Sequence, residues 1–124
     1  MRKRIVVAED DADLRELVAT ALREQGHEVV EVADGGRLLV LLARCSRAEE
    51  LMPDLIVSDV QMPVMSGLDM LKGVRDAHWH LPVLLMTAFP NREVEWRAGA
   101  LAADILRKPF PLERLRQAVA SALR

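Results

Sequence analysis

The 124-residue sequence has one cysteine, Cys45, and no tyrosine. A lone cysteine excludes an internal disulfide and suits a reducing compartment, so a cytoplasmic location is expected. The aromatic side chains are Phe89, Phe110, Trp79 and Trp96, too few and too scattered for a base-stacking surface. Net charge is −2 and the pI is near 5.9, which gives no general electrostatic case for binding nucleic acid or a membrane surface. The basic start, Met1 to Arg4, precedes an apolar run far too short for a signal peptide or a membrane span. Repeats, low-complexity tracts and linkers are also missing. What is present is 51% hydrophobic and 29% charged, the balance of an ordinary soluble globule, and the expectation is one domain over residues 1–124.

Short apolar runs alternate with helical spacing from end to end. Ile5-Val6-Val7-Ala8 reads as a strand buried on both faces. Leu14, Leu17, Val18, Ala21 and Leu22 then recur at helical intervals, with Asp11 or Asp13 as N-cap and Gly26 as the stop. His27 to Val32 alternates more and suits a strand nearer an edge. Asp34-Gly35-Gly36 opens a second helical segment that runs on from Arg37 to Met52, long enough to predict a break near Cys45-Ser46. Leu55 to Asp59 is a third strand, and Ser66-Gly67 leads into a helix with Leu68, Leu71 and Val74 inward. Pro82 to Met86 is a fourth strand ending at Thr87, and a helix follows from about Glu93 to Ala100. Asp104-Ile105-Leu106 is a fifth strand, before Lys108-Pro109 and a last helix from Pro111 to Leu123. Five strands alternating with five helices predict an α/β fold with a parallel sheet covered on both faces, and the flavodoxin-like order 2-1-3-4-5 is the usual solution at this size.

In such a sheet, ligands sit outside the carboxyl ends of the strands. The strands deliver Glu9-Asp10-Asp11, Asp59, Thr87-Ala88 and Lys108-Pro109 to that edge. Asp59 closes a buried strand just before a loop marked by Pro63 and Gly67, a place where desolvation opposes a charge. Clustered carboxylates repel at low dielectric unless one takes a proton or a cation sits between them. Oxygen ligands with room for water favour Mg²⁺, or Mn²⁺ in its place, over Zn²⁺. Lys108 offers a positive charge and Thr87 a hydroxyl, both suited to phosphoryl oxygens, which leaves Asp59 as the nucleophile. Each residue alone has a bland reading: an acidic helix start, a turn-capping Asp, a structural Thr, a solvated Lys. One site explains the four strand ends together better than four separate accidents do.

With Ile5-Val6-Val7-Ala8-Glu9-Asp10-Asp11, Asp59-Val60-Gln61-Met62-Pro63-Val64-Met65-Ser66-Gly67, Thr87-Ala88 and Lys108-Pro109-Phe110 in place, the chain resembles the receiver domain of two-component response regulators over essentially its whole length. The resemblance implies that Asp59 is phosphorylated by a sensor histidine kinase or phosphotransfer protein. It implies that Glu9, Asp10, Asp59 and the backbone carbonyl of Gln61 bind Mg²⁺. It further implies that Lys108 pairs with the phosphoryl group, that Thr87 moves toward it, and that the Lys108–Pro109 bond is cis. A kinase helix would dock near the first helix, where Leu14, Arg15, Val18 and Ala19 offer a surface, although Leu14 and Val18 also read as core positions. The phosphorylated form would switch an unidentified output domain or protein, with homodimer formation on phosphorylation left open.

Three departures surround the output faces. Ile105 stands where the family usually has Tyr or Phe. The glycine of Arg97-Ala98-Gly99-Ala100 is displaced, which predicts an altered fourth helix or a longer loop after it. The second helical segment is extended. Gln61 and Phe89 would flank the phosphoryl group, with Phe89 shielding it from water. A pseudo-receiver, the same fold used only for protein interaction, is the main alternative. A phosphohydrolase of the haloacid dehalogenase kind would place Asp where Gln61 stands and would carry a cap. A nucleotide-binding module would show a Gly-rich loop after the first strand. The expected role is therefore a non-enzymatic signalling switch without direct nucleic-acid or membrane contact.

Overall fold

Each apolar run becomes a strand whose alternate side chains are buried on opposite faces. The structure, a computed structural model, describes residues 2–124. Its strands are β1 (Arg4–Ala8), β2 (Glu28–Val32), β3 (Leu55–Asp59), β4 (Val83–Thr87) and β5 (Asp104–Arg107), all parallel, in the order β2-β1-β3-β4-β5. The helices are α1 (Ala12–Glu24), α2 (Gly35–Ser46), α3 (Gly67–Asp76), α4 (Arg92–Ala100) and α5 (Leu112–Ala122). The predicted α/β architecture and strand order are what is found.

The two faces carry separate cores. Val6, Ala8, Ile56, Val83 and Leu85 pack with Leu38 and Leu42 of α2, Leu71 and Val74 of α3, and Val94 and Ala98 of α4. Ile5, Val7, Leu55, Val57, Leu84, Met86 and Leu106 pack with Val18 and Leu22 of α1 and Leu115 and Val119 of α5. Burying one such Leu or Ile contributes about 1.5–3 kcal/mol, so truncation to Ala in β3 or β4 would remove a large share of the stability of a small domain.

Most helix starts have a side-chain cap. Asp11 accepts the N–H groups of Asp13 and Leu14, Asp34 that of Arg37, Ser66 that of Asp69 and Asn91 that of Val94. Asp11, not Asp13, is the N-cap of α1. The break predicted at Cys45-Ser46 is where α2 stops. Glu49 N–H closes back on the Arg44 carbonyl and Ala48 takes the left-handed conformation, so residues 47–54 return irregularly to β3. Around α4 the displaced glycine has a visible effect. Gly99 lies inside the helix, and the left-handed terminal position falls to Ala102 at φ 57, closed by Ala103 N–H on the Ala98 carbonyl at 2.9 Å.

At the edge of the sheet away from the strand carboxyl ends, Arg75 of α3 collects three carbonyls. Its guanidinium donates to Leu101 at 2.8 Å, Trp79 at 2.8 Å and Leu81 at 2.7 Å, tying the ends of α3 and α4 to the start of β4. Burial pushes its pKa down from the usual arginine value.

Candidate functional site

The strand order sets β1, β3, β4 and β5 side by side, and their carboxyl ends carry the predicted residues to one edge. Glu9, Asp10 and Asp59 come together, each with a carboxylate oxygen within 4.8 Å of the others'. Glu9 is 1% exposed and Asp59 is 7% exposed, whereas Asp10 faces solvent. Asp11 takes no part in this cluster, because its carboxylate is spent on the N-terminus of α1.

Lys108 lies against both buried carboxylates. Its Nζ is 2.5 Å from Glu9 Oε1 and 3.1 Å from Asp59 Oδ2. Its backbone N–H donates to the Thr87 carbonyl at 2.8 Å, extending the β4–β5 ladder and aiming the lysine at the cluster. The Lys108–Pro109 peptide is cis. Glu9 Oε2 accepts the Asp11 N–H at 3.1 Å, and Asp59 Oδ1 accepts the Gln61 N–H at 3.3 Å. Thr87 is buried, with its Oγ1 accepting the Phe89 N–H at 3.0 Å. Phe89 itself is 69% exposed, so its ring does not cover the site as expected of a shield. Gln61 is exposed.

The charges do not balance locally. Burial first, and the neighbouring Asp59 charge among other causes, push the Glu9 carboxyl up to about 7 against the pull of Lys108. For Lys108, burial works downward, but the Glu9 hydrogen bond and the Asp59 charge win and raise its pKa. One cationic group thus serves two inward carboxylates with a third nearby. A hard divalent cation among three carboxylate oxygens would relieve this, and the donor set fits Mg²⁺.

The local chain explains why Asp59 stands where it does. Gly67 packs so close behind β3 that a Cβ there would collide with the Asp59 carbonyl oxygen. Gly67 N–H also donates to the Val60 carbonyl at 2.8 Å, folding the β3–α3 loop back on itself. Within that loop Met65 N–H donates to the Pro63 carbonyl at 2.9 Å around Val64 at φ 76. This is a γ-turn centred on a β-branched residue in the left-handed region, a strained arrangement. Gly35 N–H of α2 donates to the same Pro63 carbonyl at 3.1 Å, which anchors the loop from the other side.

Sequence reasoning missed three things here. The Glu9–Lys108 contact joins residues 99 positions apart, which no local pattern reveals. The Val64 turn gave no signal, because Pro63 and Gly67 drew the loop prediction. Of the α1 surface, Val18 and Ala19 are fully buried and Arg15 turns back to the Glu9 carbonyl, so neither Val18 nor Ala19 is open to a partner; Leu17, half exposed, is. Ile105 is half-buried, packed against the α2–α3–α4 core.

Residues 5–120 match the family described as response regulator receiver domain. The chain is 42% identical over 123 residues to the response regulator protein FleR of Pseudomonas aeruginosa, covering 97% of this chain and 24% of FleR. It is 39% identical over 114 residues to the probable transcriptional regulatory protein TcrX of Mycobacterium tuberculosis, covering 90% of this chain and 45% of TcrX. It therefore spans less than half the length of either relative. Among solved structures, the chemotaxis response regulator CheY4 of Vibrio cholerae superposes with a TM-score of 0.83 at 30% identity, over 99% of this chain and all of that one. The receiver domain of the hybrid histidine kinase CckA gives 0.74 at 29% identity, over 98% of this chain and 99% of its own. Among the described residues no helix is long and apolar enough to cross a membrane.

Proposed function

The chain belongs to the response regulator receiver domain family, and from that premise we propose that it is a phosphoacceptor switch in which Asp59 takes a phosphoryl group from a histidine kinase or phosphotransfer protein. Receiver domains are signalling modules of two-component systems rather than classical enzymes. In this reading residues 1–124 act as one such unit, in the cytoplasm.

The observation that carries the reading is Lys108 Nζ 3.1 Å from Asp59 Oδ2, with Glu9 and Asp10 close by. A carboxylate oxygen of Asp59 attacks the phosphorus of a phosphohistidine. The new O–P bond forms as the P–N bond breaks, and the imidazole leaves with its electron pair and takes a proton. Glu9, Asp10, Asp59 and the Gln61 carbonyl would hold Mg²⁺, which when bound neutralises charge on the transferring oxygens. Lys108 then turns from Glu9 to a phosphoryl oxygen. The Thr87 hydroxyl, released by Phe89 N–H, donates to another. Asp10, the exposed member of the acidic set, leaves the cleft open to a donor.

Acetyl phosphate or beryllofluoride titration, followed by NMR amide shifts, tests this. The expected response needs Mg²⁺ and disappears in Asp59→Asn. A wild-type chain that does not respond would instead be a pseudo-receiver.

A further inference from the structure

We propose that Arg15 is a positioning residue for the acidic site: it holds the backbone of Glu9 so that the Glu9 and Asp10 carboxylates stand ready for a divalent cation. The inference rests on the cation-site reading above and adds to it how this chain prepares that site.

Glu9 leaves β1 and only Asp10 and Asp11 separate it from α1. Two bonds hold its backbone. Glu9 N–H donates to the Val32 carbonyl at 3.1 Å, and the Glu9 carbonyl accepts Arg15 Nη1 at 2.8 Å. The peptide unit is planar, so the plane that carries the Glu9 carbonyl also carries the Asp10 nitrogen. Pinning that carbonyl orients the Cα atoms of both acidic residues at once.

Arg15 is itself held. Its side chain is only 20% exposed, and its Nε lies 3.6 Å from Glu31 Oε1 on β2. Glu31 Oε2 accepts Arg23 Nη1 at 2.9 Å, and Arg23 Nη2 donates to the Val29 carbonyl at 3.0 Å. Two guanidiniums sharing one carboxylate tie α1 to β2, and the Glu9 carbonyl is the inner end of that ladder. Glu31 offsets one of the two guanidinium charges, so repulsion of a cation by Arg15 is reduced but not removed. For Arg15 to favour the cation, the gain in orientation must exceed that repulsion. Groups that orient metal ligands are typically worth about 10–100-fold in affinity.

The test is Mn²⁺ binding by electron paramagnetic resonance, with thermal midpoints, for the wild-type chain, Asp59→Asn, Arg15→Ala, Arg15→Lys and Glu31→Gln. Arg15→Ala should weaken Mn²⁺ binding by about 10-fold. Arg15→Lys should recover part of that loss, because one ammonium can still reach the Glu9 carbonyl. Glu31→Gln should weaken binding less than Arg15→Ala, since it leaves the Glu9 bond but loosens its donor. Lowered thermal midpoints with wild-type Mn²⁺ affinity in all three Arg15 and Glu31 variants would overturn the inference, as would tighter binding in Arg15→Ala. If Arg15→Ala does not fold, Arg15→Lys and Glu31→Gln decide on the same criterion. A wild-type chain that binds no Mn²⁺ overturns the cation-site reading itself, and is told apart because wild type and Asp59→Asn would then behave alike.

Discussion

Glu9→Gln should make the metal-free protein more stable in alkaline buffer and leave it little changed in acid. The Glu9 carboxyl sits at about 7 in the folded chain against 4.5 in the unfolded one, with burial as the main cause. Because the folded value is the higher, the native state holds this proton more tightly. The stability linked to Glu9 is complete below pH 4.5 and is lost as pH rises through about 7. At about 1.36 kcal/mol per pH unit, the gap amounts to about 3 kcal/mol above neutrality. The ion pair with Lys108 is already inside that balance, since its pull on Glu9 is smaller than the effect of burial. Glutamine keeps the neutral shape, so the variant should gain nothing near pH 4 and about 3 kcal/mol at pH 8. Urea denaturation of both chains in EDTA across that range measures this. Saturating Mg²⁺ should narrow the difference, because a ligand at 100 times its Kd adds about 2.7 kcal/mol to the wild type alone. A variant gain that is the same at every pH, or a wild type that is the more stable at pH 8 without metal, would refute the reasoning.

Two further outcomes are expected. Val64 is 84% exposed and sits at φ 76, so Val64→Gly relieves left-handed strain of about 1–2 kcal/mol against about 0.5–1 kcal/mol of added chain entropy. Its urea midpoint should rise by the equivalent of roughly 1 kcal/mol, while Val64→Ala, which keeps the left-handed penalty, should rise less. Equal midpoints for Val64→Gly and wild type would show the turn to be unstrained. Phe89 lies two residues beyond Thr87 with its ring in solvent, so Phe89→Glu puts a water-orienting carboxylate there and should speed acyl phosphate decay several-fold. Matched half-lives on radiolabelled protein would contradict this.

The fold was legible because every strand but the alternating β2 carries an apolar run that stops at a polar residue. Val57-Ser58-Asp59 and Met86-Thr87 mark their own ends, and strand order then follows from handed crossovers. The site was legible for the same reason: its members are the residues at which those runs stop. Pairings that depend on side-chain reach were not legible. Arg15 looked like part of a docking face because helical spacing gives a direction and not a partner. Ala19 looked available although α1 turns it inward against the sheet, whereas the core reading of Val18 is the one that holds. Gly99 signalled a disturbed helix end, but which residue would take the left-handed position depended on where α4 finally stopped, at Ala100.

The Arg75 clamp gives α4 unequal support at its two ends. It holds the carbonyl of Leu101, just beyond the last turn of α4, while Arg97 of that turn reaches Asp69 of α3 at 3.5 Å. The first turn is held in the core by Val94 and leads back to Thr87 through Ala88, Phe89, Pro90 and Asn91, and α4 also buries Ala98. α4 is therefore fastened mainly by polar contacts at its last turn and by one apolar contact at its first. If Thr87 moves toward a phosphoryl group on Asp59, as proposed above, the first turn is the end of α4 nearest that movement, and the clamped Leu101 is the end that resists it. With Ile105 packed against the α2–α3–α4 core, such a tilt of α4 would link the strand ends to the surface without an aromatic ring.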